Sequence, residues 1–169
     1  LSNERDQFDR VGWEPEGEVA KISNPISVEH TILRQNILPS LLVLLSSNRH
    51  HELPQRVYEL SDVVRDSANR PRVAWACAEV GGGFAAAKGV VQALLRDLGT
   101  GIEEVTLEQP DGGPWIAGRG ARVICDGVEI GSFGEVSPKV LSEFGLRTPI
   151  NGGELDVAAL SRIAPDPIL

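Results

Sequence analysis

The chain contains no methionine, a single tyrosine, two cysteines and only three lysines, Lys21, Lys88 and Lys139, among its 169 residues. Each scarcity narrows what it can be. A chain that opens on Leu1 and never uses methionine is expected to be a piece of a longer polypeptide, so its function need not be a whole protein's function. Cys77 and Cys125 are too few and too far apart for a zinc site, and each lies in an apolar, strand-like run. Both read as buried thiols of a protein working in a reducing cytoplasm. No apolar run approaches the roughly 20 residues of a bilayer span, and no signal peptide or repeat is visible, so no membrane partner is expected. Acidic residues outnumber basic ones 24 to 16, for a net charge of −8. That balance fits a surface built for concentrated salt, or a merely acidic one. It argues against a self-sufficient grip on nucleic acid, which needs a basic patch, but leaves room for a contact made jointly with a partner chain.

What is present is organised around residues 24–48. Asn24-Pro25 is a turn signal that should end a strand. Asn36 is placed to cap a helix with Pro39 in its first turn, running to about Asn48. That helix is apolar on nearly every side (Ile37, Leu38, Leu41, Leu42, Val43, Leu44, Leu45), so most of it should be buried in protein. Leu41, Leu42 and Leu45 are expected in the core. Leu44 points away from them and is the candidate for an outward, subunit-facing side.

Ahead of this stretch, residues 1–17 read as a loosely held lead-in with Val11 and Trp13 packing on the body, and Glu18–Ser23 alternates like a strand. After it, Asn48–Pro54 is a polar connection whose His50-His51 pair lacks a third ligand and reads as solvated. Gln55–Val64 alternates strictly, with Val57, Glu59, Ser61 and Val63 on one face. A turn over Arg65–Asn69 leads to a strand over Arg72–Val80 in an antiparallel hairpin. Gly81–Gly83 ends that strand, and Phe84–Leu98 has helical spacing. Glycines before a helix carrying Lys88 suggest a phosphate loop, but Lys88 is flanked by Ala87 and Gly89 rather than by Gly and Ser or Thr, and a flexible turn fits better. Ile102–Leu107 reads as a strand. Ala121–Cys125 and Val128–Gly134 flank Asp126-Gly127, a strong hairpin signal. Ser137 caps a helix with Pro138 in first position. Asn151–Val157 is a last strand, Ala158–Ile163 a short helix, and the proline-rich tail is expected to fray. The sum is one α+β domain over 1–169, with about seven strands in an antiparallel sheet flanked by three main helices.

Asn24-Pro25-Ile26-Ser27, Glu29, Leu33-Arg34, Leu38-Pro39-Ser40-Leu41-Leu42 and Asn48 together resemble the synthetase-like core of the phenylalanyl-tRNA synthetase beta chain. So do Arg56–Leu60, Phe84 with Lys88-Gly89, Gly131 with Gly134-Glu135, Pro138 with Val140-Leu141, Phe144–Leu146, Pro149 and Glu154–Asp156, in the family's order over about residues 18–157. The resemblance implies a class II aminoacyl-tRNA synthetase core that has lost its catalytic residues and packs against an alpha chain in an α2β2 assembly. ATP and magnesium are then needs of the whole enzyme rather than of this segment, and tRNA is met only in that context. A working class II core needs an arginine on a strand pair for the ATP α-phosphate with a glutamate close behind, and a second arginine after a glycine-spaced run. Here Val64-Arg65-Asp66-Ser67 keeps the first arginine but has serine for the glutamate, and Gly152-Gly153 leads to Glu154 and Asp156. Carboxylates cannot replace cationic clamps on a polyphosphate, so the segment alone should be inactive, with no catalytic, cofactor or metal residues.

Residue by residue, bland and functional readings both stand. Arg34 either satisfies carbonyls or a carboxylate such as Glu29, or touches a partner. Glu135, Glu154 and Asp156 read as hydrogen-bonded structural carboxylates, with Glu135 and Glu154 also candidate interface residues. Trp75 and Trp115 belong to core or interface. The competing functional reading is a free-standing, ATP-using synthetase homologue with Arg65 and Lys88 as phosphate contacts.

Overall fold

A computed structural model describes residues 1–165. Its frame is a six-stranded, wholly antiparallel sheet in the order β1-β2-β6-β5-β4-β3. The strands are β1 (Gln55–Arg65), β2 (Ala68–Ala78), β3 (Thr106–Glu108), β4 (Trp115–Cys125), β5 (Val128–Val136) and β6 (Ile150–Asp156). Four α-helices accompany them: α1 (Leu38–Ser47), α2 (Gly83–Asp97), α3 (Pro138–Glu143) and α4 (Val157–Ile163). This is the expected α+β architecture with an antiparallel sheet flanked by helices. The expected fraying of the tail falls largely on residues 166–169, outside the described residues.

Local chemistry explains the turns that the sequence announces. The β1–β2 hairpin turns on Asp66 and Ser67 alone, both at positive φ (49° and 58°), which tightens the predicted turn and starts β2 at Ala68. Asp126-Gly127 closes β4 on β5 with φ of 49° and 76°. The Ser137 side chain accepts from the Val140 N–H, with Pro138 at the first helical position, and Asp156 Oδ1 accepts from the Ala159 N–H at 2.7 Å to start α4.

The sheet separates two apolar layers. Beneath α1 lie Val63, Ala74, Ala76, Val136 and Ile150, with Leu38, Leu41, Leu42 and Leu45 packed on them. Beneath α2 lie Trp75, Phe133 and Leu155, with Ala87, Val91 and Leu95 packed on them. Leu41, Leu42 and Leu45 are at most 3% exposed, while Leu44 is 44% and Val43 39% exposed, so the two sides of α1 divide as its periodicity predicts. Trp75 and Trp115 are both core.

The region before α1 departs from expectation. Residues 18–23 form no strand, only an isolated bridge from Lys21 to Ile32, so the described residues hold six strands rather than seven. Around that bridge the Ile22 N–H donates to the Thr31 carbonyl and the Leu33 N–H to the Ala20 carbonyl, both at 2.9 Å. Buried Gln35 fixes the chain just before: its amide donates to the carbonyl of Glu16 at 2.8 Å and accepts from the Glu16 N–H at 2.9 Å. The lead-in is not loose either. Arg5–Asp9 makes a turn of π-helix, Phe8 and Val11 are buried, and Gln7 Oε1 accepts from the N–H groups of Gln35 and Asn36 at 3.0 and 2.9 Å. The Ile102–Leu107 segment divides into a 3-10 turn over Ile102–Glu104 and the short strand β3. Of the two thiols, Cys125 is buried as expected and Cys77 is half-buried. No described helix is long and apolar enough to cross a membrane.

Candidate functional site

Alternation along β1, β2 and β6 sends Arg65, Arg72 and Glu154 to the face that carries α1. Arg72 and Glu154 are 7% and 2% exposed, and Arg72 Nε donates to Glu154 Oε1 at 2.6 Å. The other oxygen of Glu154 accepts from the N–H groups of Ile37 and Leu38 at 2.8 and 2.9 Å. A buried carboxylate from β6 therefore caps α1, satisfying donors that no residue within the helix can reach. Asn36, expected as the cap, serves elsewhere. Its Oδ1 accepts from Arg65 Nη2 at 2.8 Å, drawn away because Glu154 already occupies the helix end.

Arg65 is held on every side. Its Nε donates to the Gln35 carbonyl at 3.1 Å, one Nη to Asn36, and the other pairs with Glu16. Burial, with Arg72 nearby, pushes its pKa below the usual guanidinium value. The cleft between these groups measures about 100 Å³ and is bordered by Arg65, Arg72, Glu16, Glu129 and Glu154. Burial pushes Glu129 up from the ordinary carboxylate range, against the pull of Arg122. Pockets for small ligands run to about 300–1,000 Å³. A nucleotide polyphosphate does not fit here, in size or in charge, because the two arginines are committed to protein partners and the carboxylates would repel it.

The other sequence candidates fall in different places. Arg34 pairs with Glu59 on β1 rather than with Glu29, and reaches Ser40 Oγ at 3.5 Å, because its backbone carbonyl is already fixed to β1 by the Val64 N–H at 2.9 Å. Glu135 lies on the opposite face, accepting from Arg119 Nη1 at 2.9 Å beside the start of α2. Lys88 sits on α2, whose inner residues Ala87 and Val91 pack on that opposite face, so the structure does not bring it to Arg65. His50 and His51 are exposed, and no described group of three His, Cys, Asp or Glu residues is arranged to hold a metal. Sequence reasoning missed Arg72 as Glu154's partner. The signal was its parity with Ala74 and Ala76, which turns a charged side chain toward a buried layer.

The rest of α1's surroundings are more open. Its outward side borders a cleft of about 650 Å³ lined by Val43, Leu1 and Val28 together with charged residues such as Arg5, Arg10 and Glu29. Ile26 and Val28, on the turn after Pro25, are almost wholly exposed.

The family described as the phenylalanyl tRNA synthetase beta chain CLM domain matches residues 2–157. Among curated proteins, the chain is 43% identical over 97% of its length to the phenylalanine–tRNA ligase beta subunit of Methanopyrus kandleri. It is 40% identical over 94% of its length to that of Methanothrix thermoacetophila. It spans 29% of the length of each of these relatives. Among solved structures, pyrrolysyl-tRNA synthetase from Desulfitobacterium hafniense superposes with a TM-score of 0.67 over 86% of this chain and 53% of its own, at 14% identity. That likeness is one of fold.

Proposed function

We propose, from the premise that this chain belongs to the phenylalanyl-tRNA synthetase beta chain CLM family, that it is a non-catalytic module of a phenylalanine–tRNA ligase. It supports an alpha subunit in the ATP-dependent charging of tRNA with phenylalanine. The observation that carries this reading is the fate of the two places where a class II core would hold ATP. Arg65 is consumed by Gln35, Asn36 and Glu16, and the position after Gly152-Gly153 is Glu154, tied to Arg72 and to the start of α1. The cleft has become part of the scaffold. ATP and magnesium belong, on this reading, to the alpha subunit's chemistry, and the working place is the cytoplasm.

The surface best suited to the alpha subunit is the outward side of α1. Leu44 and Val43 stand exposed on a helix whose other apolar residues are buried, and Val43 shares a cleft of mostly polar residues with Val28 and Leu1. Singly exposed apolar residues are ordinary, but two adjacent ones on a helix whose other apolar residues are buried fit a subunit contact. Leu44→Asp should leave the fold intact, since its side chain is already 44% exposed, and should abolish capture of the alpha chain in a pull-down or by analytical ultracentrifugation. Unfolding as thorough as that of Leu42→Asp would show α1 to be core only and move the interface elsewhere. The same preparation discriminates the free-standing enzyme. The module alone should give no phenylalanine-dependent ATP–pyrophosphate exchange, and exchange that disappears with Arg65→Ala would favour that alternative.

A further inference from the structure

Most arginines of this acidic chain are neutralised locally, for carboxylates pair with Arg10, Arg34, Arg56, Arg65, Arg72, Arg119 and Arg122. Arg49 and Arg147 have no such partner among the described residues, and they share one cleft. It lies at the C-terminal end of α1, opposite the end capped by Glu154, and measures about 620 Å³. His50 and His51 also line it, Leu53 is its exposed apolar residue with Leu45 and Leu146 buried behind, and none of its lining residues is a carboxylate. Glu52 follows on the same loop without lining it.

Cations at the end of a helix ordinarily serve the helix's own carbonyls. That explanation covers little here. The neutral amide of Gln55 takes the carbonyls of Asn48 and His51 at 3.0 and 3.1 Å. Arg49 spends one Nη on the Ser46 carbonyl at a long 3.4 Å, and the Arg147 side chain makes no hydrogen bond among the described residues. Two guanidiniums with donors to spare, above an apolar lining and beside two imidazoles, match a group that joins an anion to a flat apolar ring. A phosphate takes the forked donors, and a nucleobase lies against Leu53, which is 46% exposed, and the imidazoles. The volume suits a nucleotide, whereas the Arg65 cleft does not.

We infer that this cleft receives a phosphate and its adjoining nucleoside from an RNA strand, which in the setting of the proposed function is the tRNA. The inference rests on that reading. With a net charge of −8, the module as a whole repels RNA, so the contact works only as an adjunct to binding by the rest of the assembly.

The test uses the assembled ligase, with the full-length beta chain and its alpha chain, carrying Arg49→Gln and Arg147→Gln together. Fluorescence anisotropy with phenylalanine tRNA over a range of salt should show affinity weaker by about tenfold or more. The slope of log affinity against log salt should shrink by about 0.7–0.9 for each phosphate that the variant no longer neutralises. Phenylalanine-dependent ATP–pyrophosphate exchange, which needs no RNA, should remain at the parental level. Unchanged affinity and slope would overturn the inference, as would exchange falling in parallel, which would make the cleft an assembly surface. Poly-glutamate that displaces the tRNA equally well and loses its effect in the same variant would point to an acidic peptide and also overturn it. Absence of exchange in the parental ligase would instead undermine the proposed function, so the two failures are separable.

Discussion

Under α2 the sheet presents Trp75, Phe133 and Leu155, with the rings of Phe84 and Phe133 stacked 5.4 Å apart. Under the N-terminal end of α1, the other face of the sheet presents Arg65, Arg72 and Glu154. The apolar side needs only side chains of suitable size, and neighbours can adjust to a change. The charged side needs particular partners, because each ion that leaves water must recover the loss through pairing and hydrogen bonds. Here this face of the sheet fixes α1 against β2 and β6, and its charges form a structural joint.

The largest expected effect breaks that joint. Glu154→Ala leaves Arg72 buried without its partner and uncaps Ile37 and Leu38, a loss of about 3–5 kcal/mol from a total on the order of 5–15. Leu95→Ala, on the other side of the sheet, should cost about 2–5 kcal/mol through the cavity it leaves. Urea denaturation measures both, and the double variant Arg72→Met/Glu154→Met separates the causes. It removes the stranded charge along with its partner, so it should be more stable than Glu154→Ala alone, while still lacking the cap. No recovery in the double variant would mean that the helix cap, rather than the ion pair, is what Glu154 contributes.

The parts of the fold that were legible in the sequence are those whose signals are local. Asp126-Gly127 can only turn one way, Ser137-Pro138 starts a helix from within three residues, and the spacing of Val91, Leu95 and Leu98 is periodic in itself. The misreadings around the charged site involve partners distant in sequence. Alternation over Glu18–Ser23 says nothing about how long a neighbouring strand is, and the chain there has a single bridge to Ile32 with backbone bonds to Thr31 and Leu33, beside the side chain of Gln35. Asn36 has the right chemistry for a cap and lost the position to a carboxylate 117 residues beyond Ile37. The same distance hid the site. Sequence reading could see that Glu154 stood where an arginine was expected, but not that Arg72 and α1 had taken up its charge.

The smallest expected effect sharpens the comparison from inside the charged face. Glu129 is partly exposed, and burial raises its pKa more than Arg122, with Nη1 3.6 Å from its carboxylate, lowers it. A carboxyl with a raised pKa in the folded state binds its proton more readily there than in the unfolded chain. Stability therefore falls as pH rises from the unfolded value, about pH 4, through the folded one, and above that window the ionised group is a fixed burden. Glu129→Gln keeps the shape and removes the charge, so the melting temperature at pH 7 should rise slightly and the difference should vanish below about pH 4. The gain is small because solvent screens a group this exposed. Thermal melts from pH 4 to 8 would show it. A melting temperature that falls at pH 7 would mean that attraction to Arg122 outweighs desolvation, and that even the rim of this face is held by ion pairing.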